Sequence, residues 1–475
     1  MKNTPHKTPV SGKGRQTIVS GHADCLLLNP PDVPTRYPYL GLAQLAGMLR
    51  SHGVSVAILD SSALGMTVSD VIRAIGDIRP RIIGLSIMSL TLRSAYQLIR
   101  AIEASYPETV VVAGGAHINA DPGSVRDLDV PYGFIGESEY EFLDFCTAIL
   151  GGREPSQTPN LIMHKHGEIS VGARKIVDDL DALPWPAMDL LPVERYYSPS
   201  THHRTLSFIT SRGCPYDCIY CSKVDRIRVR SLSVENTLDQ LEWLVHGLGV
   251  EWIEFVDEVF TLNRGRITDL CEGILKRGLV FEWGCGSRAD RIDEDLLILM
   301  KEAGCRKIGF GVESGVERIR YLDRKRVTND QIRNAVSLCK RHGIKTQACF
   351  IFGHPTETLD EMRKTVRFAR KLGANYPSFS RMMPFPGSEL FERAKSNGEV
   401  APDVWTDFML GNGRLPLYSP KGVTQEQIYR IFRRSWFEVY FWPPNMWNNR
   451  DVLVSLDYIR KAAKAFRDFA LSRDY

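Results

Sequence analysis

The sequence predicts an α/β protein made of two successive units, a doubly wound sheet and then an incomplete barrel, with a small mostly α region at the end. Three observations predict this. Short apolar runs bounded by turn residues alternate with amphipathic helical stretches from Ala23 to Gly152. The same rhythm resumes at Thr205 and runs to Met382. After Met383 it stops. Strands alternating with helical patterns of this length imply parallel pairing with helices on the sheet faces.

In the first unit, residues 23–152, the strand candidates are Ala23–Leu28, Val54–Leu59, Arg81–Ile87, Thr109–Ala113 and a weaker Tyr132–Ile135. The helical stretches are Leu40–Ser51, Val68–Ile78, Leu92–Ser105 and Glu139–Leu150. Five strands suit an open, Rossmann-like sheet, in which ligands sit outside the carboxyl ends of the strands at the switch point. Attention therefore falls on Asn29-Pro30-Pro31, Asp60-Ser61-Ser62, Ser86–Leu90 and Gly114-Gly115-Ala116-His117. Residues 153–204 read as a linker: Leu161–His164 and Glu168–Val171 flank a His-Gly turn, and Leu183-Pro184-Trp185-Pro186 marks a break.

The second unit, residues 205–398, offers strands at Thr205–Thr210, Trp252–Val256, Phe281–Gly286, Arg306–Phe310, Ile344–Ile351 and Tyr376–Met382. Helical stretches separate them, from Val234–Leu248 to Leu359–Leu372. Six βα units fall short of the eight that close a TIM-type barrel, so an open (β/α)6 barrel is expected, with its site at the carboxyl ends of the strands. Residues 399–475 read as a helical cap. Arg433-Arg434, Trp436, Tyr440, Phe441, Trp442 and Trp447 suit packing across the open side of the barrel, with peripheral contact to a membrane surface as the alternative. Leu453–Leu471 reads as an amphipathic helix with a solvated basic face.

Composition narrows the class. A chain of 475 residues holds about three domains. Its 43% hydrophobic and 24% charged residues exclude a mainly disordered or coiled-coil protein. Sixty basic residues against 56 acidic give +4, no footprint for nucleic acid. No apolar run is long enough for a transmembrane segment. Residues 1–22, with Lys2, Lys7, Lys13 and Arg15 but no apolar stretch, read as a flexible arm of a cytoplasmic protein. Ten cysteines without a signal peptide do not suggest a disulfide framework.

Three of those cysteines cluster. The first barrel strand is followed by Ser211-Arg212-Gly213-Cys214-Pro215-Tyr216-Asp217-Cys218-Ile219-Tyr220-Cys221. Thiolates at C-x3-C-x2-C on one loop suit iron–sulfur or zinc. A structural zinc site wants four protein ligands, and no fourth Cys or His is near in sequence. Cys271, Cys285 and Cys339 read as core residues.

The loop resembles the signature of the radical S-adenosylmethionine (SAM) superfamily, including Tyr220 just before the last cysteine. That resemblance implies a 4Fe-4S cluster on Cys214, Cys218 and Cys221, whose free iron chelates the amino and carboxylate groups of SAM. One electron from the cluster then yields a 5′-deoxyadenosyl radical. It extends over roughly Thr205 to Gly398. Asp257-Glu258 follows the second strand, where the family receives the SAM amino group; Arg288 follows the third and suits the carboxylate; Glu313, in Gly311-Val312-Glu313-Ser314-Gly315, suits the ribose. Phe352–Thr358 and Pro384–Ser388 match later family motifs. Plainer roles remain open: Arg288 paired with Asp290, Glu258 opening the next helix.

The first unit resembles the cobalamin-binding domain that precedes many radical SAM enzymes. Leu28-Asn29-Pro30-Pro31, Leu40–Ala43, Ile83–Ser86 and Gly114-Gly115 carry the likeness, and glycines after a strand let a macrocycle approach the backbone. Cobalamin domains with a histidine beneath cobalt carry Asp-x-His-x-x-Gly after the first strand. Here that loop runs from Asn29 to Tyr37 with no histidine. Cobalamin without a histidine ligand is expected, Arg36 and Tyr37 being candidates for the lower face. His117 lies in a different loop, where a corrin contact or a plain loop role suits it better. The combined resemblance implies cobalamin-dependent radical SAM methyl transfer to an unactivated carbon or phosphorus of a small-molecule substrate, with an external flavodoxin- or ferredoxin-type reductant. Cyclisation or oxidative rearrangement of the tetrapyrrole-cyclase kind is the alternative with the same cofactors. A non-catalytic cobalamin or redox sensor is the rival from another class; the SAM-contact candidates count against it.

Overall fold

The computed structural model describes residues 21–32, 37–197, 203–222 and 228–443. Most of the expected arm, Arg36, Trp447 and the stretch Leu453–Leu471 lie outside the described residues.

The first unit follows the expected order: β1 (Cys25–Asn29), α1 (Leu40–Ser51), β2 (Val56–Asp60), α2 (Val68–Ile78), β3 (Ile82–Ser86), α3 (Leu92–Ser105), β4 (Val110–Gly114), the short α4 (Ala116–Ala120) and α5 (Ser124–Asp127), β5 (Tyr132–Phe134) and α6 (Glu139–Leu150). A hairpin of β6 (Leu161–Lys165) and β7 (Glu168–Val171) completes it. The strand order is β2-β1-β3-β4-β5-β6-β7. The first five strands are parallel, and β6 and β7 are added antiparallel. The hairpin is therefore part of the sheet rather than of a linker, because β5 would otherwise present an unpaired edge. In β1 every residue is buried: Cys25 and Leu27 face one core with α1 and α6, and Leu26 and Leu28 face the other with α2 and α3. A strand buried on both faces reads as an unbroken apolar run, which is why it was visible in sequence.

The second unit begins with β8 (Thr205–Phe208). A two-stranded ribbon, β9 (Ser211–Arg212) with β10 (Arg230–Ser231), brackets the cysteine loop. Then come α7 (Val234–Glu242), β11 (Trp252–Phe255), α8 (Arg264–Lys276), β12 (Glu282–Ser287), α9 (Glu294–Glu302), β13 (Cys305–Glu313), α10 (Glu317–Leu322), α11 (Asn329–Arg341), β14 (Lys345–Phe352), α12 (Leu359–Leu372) and β15 (Tyr376–Arg381). The six long strands are parallel and neighbours in chain order, so the sheet curls without pairing β15 to β8. In β14 the alternation is plain: Thr346, Ala348, Phe350 and Phe352 are buried under helices, while Lys345, Gln347, Cys349 and Ile351 are half-buried on the other face. Cys285 packs on the buried side of β12, as do Cys271 and Cys339 on their helices.

The C-terminal region divides between the two units. After α13 (Glu389–Ser396), α14 (Val404–Leu410) inserts Trp405 and Met409 into the core of the first sheet. Arg93 of α3 holds it, donating from Nε to the Phe408 carbonyl at 2.8 Å and from Nη2 to that of Gly413 at 2.7 Å. The last described helix, α15 (Gln425–Tyr440), packs on α12 and β15. Tyr440 Oη donates to the Pro377 carbonyl at 2.7 Å, and the Trp436 ring lies 5.8 Å from that of Phe379. The expected single cap over the barrel is thus two helices with different hosts. No helix among the described residues is long and apolar enough to cross a membrane.

Candidate functional site

A cavity of about 460 Å³ lies where the carboxyl edge of the first sheet meets the start of the barrel. Ser86, Gly114 and Gly115 line it from one side, Gly136 and Glu137 from the next loop, and Gly213 and Glu258 from the barrel. The glycines have a physical reason. Gly115 has φ +95°, and a Cβ there would stand 2.6 Å from Ile87 N and 2.7 Å from Ile87 O. No other residue fits without moving β3's exit. A Cβ on Gly114 would meet nothing within 4 Å, so that backbone is open to a ligand. The wall suits the broad face of a corrin.

Of the first-unit candidates, Ser86, Gly114 and Gly115 reach this cavity. Asn29, Pro30, Pro31, Tyr37 and His117 do not line it. Asn29 is buried and spent on β2's exit: its Oδ1 accepts from Ser61 N at 3.0 Å, and its carbonyl accepts from Ser61 Oγ at 2.6 Å. The Pro30 carbonyl accepts from Ser62 Oγ at 3.1 Å, and Pro31 lies beside it. Tyr37 is exposed. His117 is fully buried with both ring nitrogens engaged, Nδ1 with Ser89 Oγ at 2.9 Å and Nε2 with Ser124 Oγ at 3.0 Å. Burial lowers its pKa to about 4. Of the two roles weighed for His117, these bonds to Ser89 and Ser124 correspond to the loop-holding one.

The cysteine loop is anchored along its length. Leu390 N donates to the Ile219 carbonyl at 2.9 Å, Ile219 N to that of Asp323 at 3.3 Å, and Ser222 Oγ to that of Pro386 at 2.5 Å. Cys214, Cys218 and Cys221 are all half-buried rather than sealed in the core. Among the described residues no three His, Cys, Asp or Glu side chains close round a single ion. Three free thiols on one loop, none sealed in the core, are a donor set that suits the irons of a cluster.

The charged candidates sort clearly. Arg288 is buried, forks onto Asp290 at 3.0 and 2.9 Å, donates to the Lys325 carbonyl at 2.9 Å and stacks 3.7 Å from the Tyr216 ring. Its Nη1 is buried with no partner. Glu313 ends β13 in the left-handed region at φ +65°, with its carboxylate 3.1 Å from Lys325 Nζ. A non-glycine residue held there marks a site where the surroundings over-determine the backbone. Asp257 is buried and accepts from Thr210 Oγ1 at 2.8 Å, Thr210 N at 3.2 Å and Ser211 Oγ. Burial raises its pKa in spite of those bonds. It ties β8's exit to β11 with both carboxylate oxygens engaged, whereas its neighbour Glu258 is exposed and lines the cavity.

Beneath the loop lies a polar group that the sequence reading missed. His354 Nδ1 approaches Asp323 Oδ2 at 2.6 Å, out of line for a hydrogen bond, and both side chains are buried. Burial alone would lower the His354 pKa, but the Asp323 carboxylate outweighs it and the value rises to about 9. Tyr220 stands edge-on to His354 at 6.3 Å, and burial raises its hydroxyl pKa well above the usual value. Lys325 was also missed: nothing local marks it, since its partner Glu313 is brought by the turn after β13. Glu137 and Ser138 follow a strand directly and were legible by the rule applied to the other strands.

Comparison with known proteins agrees with this geometry. Residues 208–369 match the Radical SAM superfamily, and residues 32–145 match the B12 binding domain. An uncharacterized methyltransferase of Pyrococcus horikoshii is 32% identical over 88% of this chain and 92% of its own. The anaerobic magnesium-protoporphyrin IX monomethyl ester cyclase of Rubrivivax gelatinosus is 26% identical over 85% of this chain and 74% of its own. Among solved structures, the radical SAM methyltransferase TsrM of Kitasatospora setae, with cobalamin and a [4Fe-4S] cluster bound, superposes with a TM-score of 0.71 at 19% identity, covering 88% of each chain. The chain belongs to the cobalamin-dependent radical SAM enzymes. Its cofactors are a 4Fe-4S cluster, SAM and cobalamin, and it is an enzyme of the methyltransferase group within that family.

Proposed function

We propose that the enzyme moves a methyl group from SAM, by way of cobalamin, to an unactivated carbon or a phosphorus of a small molecule. The observation that carries this is the shared cavity: the glycine-lined edge of the first sheet and the barrel residues Gly213 and Glu258 open into one space. When bound, the cluster would supply the electron that cleaves SAM, and cobalamin would supply the methyl carrier.

In this reading Cys214, Cys218 and Cys221 hold three irons and leave the fourth for SAM. The SAM carboxylate meets the unpartnered Nη1 of Arg288, which Asp290 and the Tyr216 ring hold in place. Glu258 takes the amino group, in preference to the fully engaged Asp257. Glu313, paired with Lys325, accepts from the ribose hydroxyls, and Tyr220 packs beneath the loop. Ser86, Gly114 and Gly115 form the corrin wall. With both ring nitrogens engaged by Ser89 and Ser124, His117 would not serve as a ligand to the metal of bound cobalamin. An external flavodoxin- or ferredoxin-type reductant delivers the electrons, and a cytoplasmic location suits that supply. Methyl transfer is favoured over cyclisation because the methyltransferase relative has the higher identity and the fuller mutual coverage.

The test is anaerobic reconstitution with iron, sulfide and hydroxocobalamin. With SAM and dithionite the native chain is expected to form 5′-deoxyadenosine, and Cys218→Ala to form none. A native chain that takes up cluster and SAM yet never cleaves SAM would falsify the proposal.

A further inference from the structure

The strongest polar contact between the two units lies on the wall of the cavity. Glu137 stands three residues past β5, and its carboxylate is shared by two arginines of the barrel. Oε1 accepts from Arg230 Nη2 at 2.6 Å, and Oε2 accepts from Arg230 Nη1 at 2.7 Å and from Val177 N at 3.0 Å. Arg212 Nη1 lies 3.3 Å from the same Oε2, and Arg212 Nη2 lies 2.7 Å from Glu139 Oε1. Arg230 is only 7% exposed. Burial raises the Glu137 pKa, but the arginines outweigh it, so the carboxyl stays below its ordinary range. Bidentate charge-assisted pairs of this kind fix geometry as well as adding energy.

The placement of the two arginines gives the contact its meaning. Arg212 and Arg230 are register partners in the β9–β10 ribbon, which closes the base of the loop carrying all three cysteines. Arg212 is two positions from Cys214. Glu137, Glu139, Arg212 and Arg230 all line the cavity, together with the Gly114–Gly115 wall and Gly213 at the base of the cysteine loop. A second tie between the first sheet and the segment leading to β8, Tyr196 Oη to Asp60 Oδ2 at 2.5 Å, lies away from this wall. It keeps the units joined if the first contact is cut.

We propose that Glu137 is a positioning residue that fixes the cysteine loop at one distance from the cobalamin wall. This rests on the functional reading above, in which those two surfaces hold the cluster and cobalamin. A carboxylate gripped by two guanidiniums permits one register; without it, the ribbon and its loop are free to slide against the sheet.

Pulsed electron paramagnetic resonance on the full chain, loaded with cluster and cobalamin and reduced so that both centres are paramagnetic, reads that distance directly. The native chain is expected to show a single narrow cluster-to-cobalt distance. Glu137→Gln, with the same iron and cobalamin content, is expected to lose it for a broad or divided distribution. Arg230→Lys, which keeps the charge and removes the fork, gives the same readout should Glu137→Gln not fold, and the same broadening is expected. A variant that loads both groups and keeps the native distance overturns the proposal, whatever its melting temperature, because domain glue alone would alter stability and not distance. A native chain that takes up neither group overturns the functional reading instead.

Discussion

His117 and His354 are both fully buried, and their neighbours drive them to opposite charge states. His117 has only hydroxyls to bond, so burial keeps it neutral and lowers its pKa to about 4. His354 faces Asp323 and stays charged, with a pKa of about 9. Against an unfolded value near 6.5, each shift is worth on the order of 3 kcal/mol. The signs differ. The His117 contribution is present above pH 6.5 and is lost as pH falls through about 4. The His354 contribution is present below pH 6.5 and is lost as pH rises through about 9. Urea unfolding across pH 4–9 should therefore show greatest stability near neutrality. His354→Gln should flatten the alkaline limb while leaving the acid limb, and an unchanged alkaline slope would refute the ion pair's role. Neither charge state was legible in the sequence, since Ser89, Ser124 and Asp323 reach these rings only through the fold. Arg288 was more legible, because Asp290 is two residues away and the pairing expected as its plainer role is present, with Nη1 left unpartnered.

Helices with a clean amphipathic period were readable to the residue: α1, α2, α3 and α12 begin and end where the pattern does. Thr67 and Thr358 close capping boxes at the starts of α2 and α12, which reinforces those boundaries. Elements that depend on distant partners were harder. The β6–β7 hairpin has a visible turn but no local sign that β5 needs an edge partner. The β9–β10 ribbon has two residues per strand, too few for any period to show. The packing of α1 against the Leu183–Ala187 segment is of the same kind. Gln44 Nε2 donates to the Pro184 carbonyl and Ala187 N to that of Ala43, both at 2.8 Å. A Cβ on Gly47 would stand 2.2 Å from the Trp185 carbonyl oxygen. Gly47→Ala should thus destabilise by about 1–3 kcal/mol through overpacking. The gain of ~1 kcal/mol in helix propensity does not cover this. Chemical denaturation measures it, and a variant more stable than the native chain would show that α1 is not seated on this segment.

At the scale of the molecule, the carboxyl edge of the first sheet and the exits of β8 and β11 in the barrel share one cavity. Each unit was legible alone from its βα rhythm, and the cysteine loop from its spacing. Their mutual placement was not, because it rests on Glu137 with Arg212 and Arg230, on Tyr196 with Asp60, and on α14, which crosses back to the first core. The small net charge fits a site that works on a small molecule through bound groups rather than through a charged surface. The central claim is that SAM would supply both the methyl group carried by cobalamin and the 5′-deoxyadenosyl radical released by an electron from the cluster. Its most direct test supplies the anaerobic, reconstituted chain with methyl-deuterated SAM and dithionite, then weighs the extracted corrinoid by mass spectrometry. The account predicts a deuterated methyl group on the corrinoid, with S-adenosylhomocysteine and 5′-deoxyadenosine both formed. Deoxyadenosine alone, with an unlabelled corrinoid and no S-adenosylhomocysteine, would contradict methyl transfer.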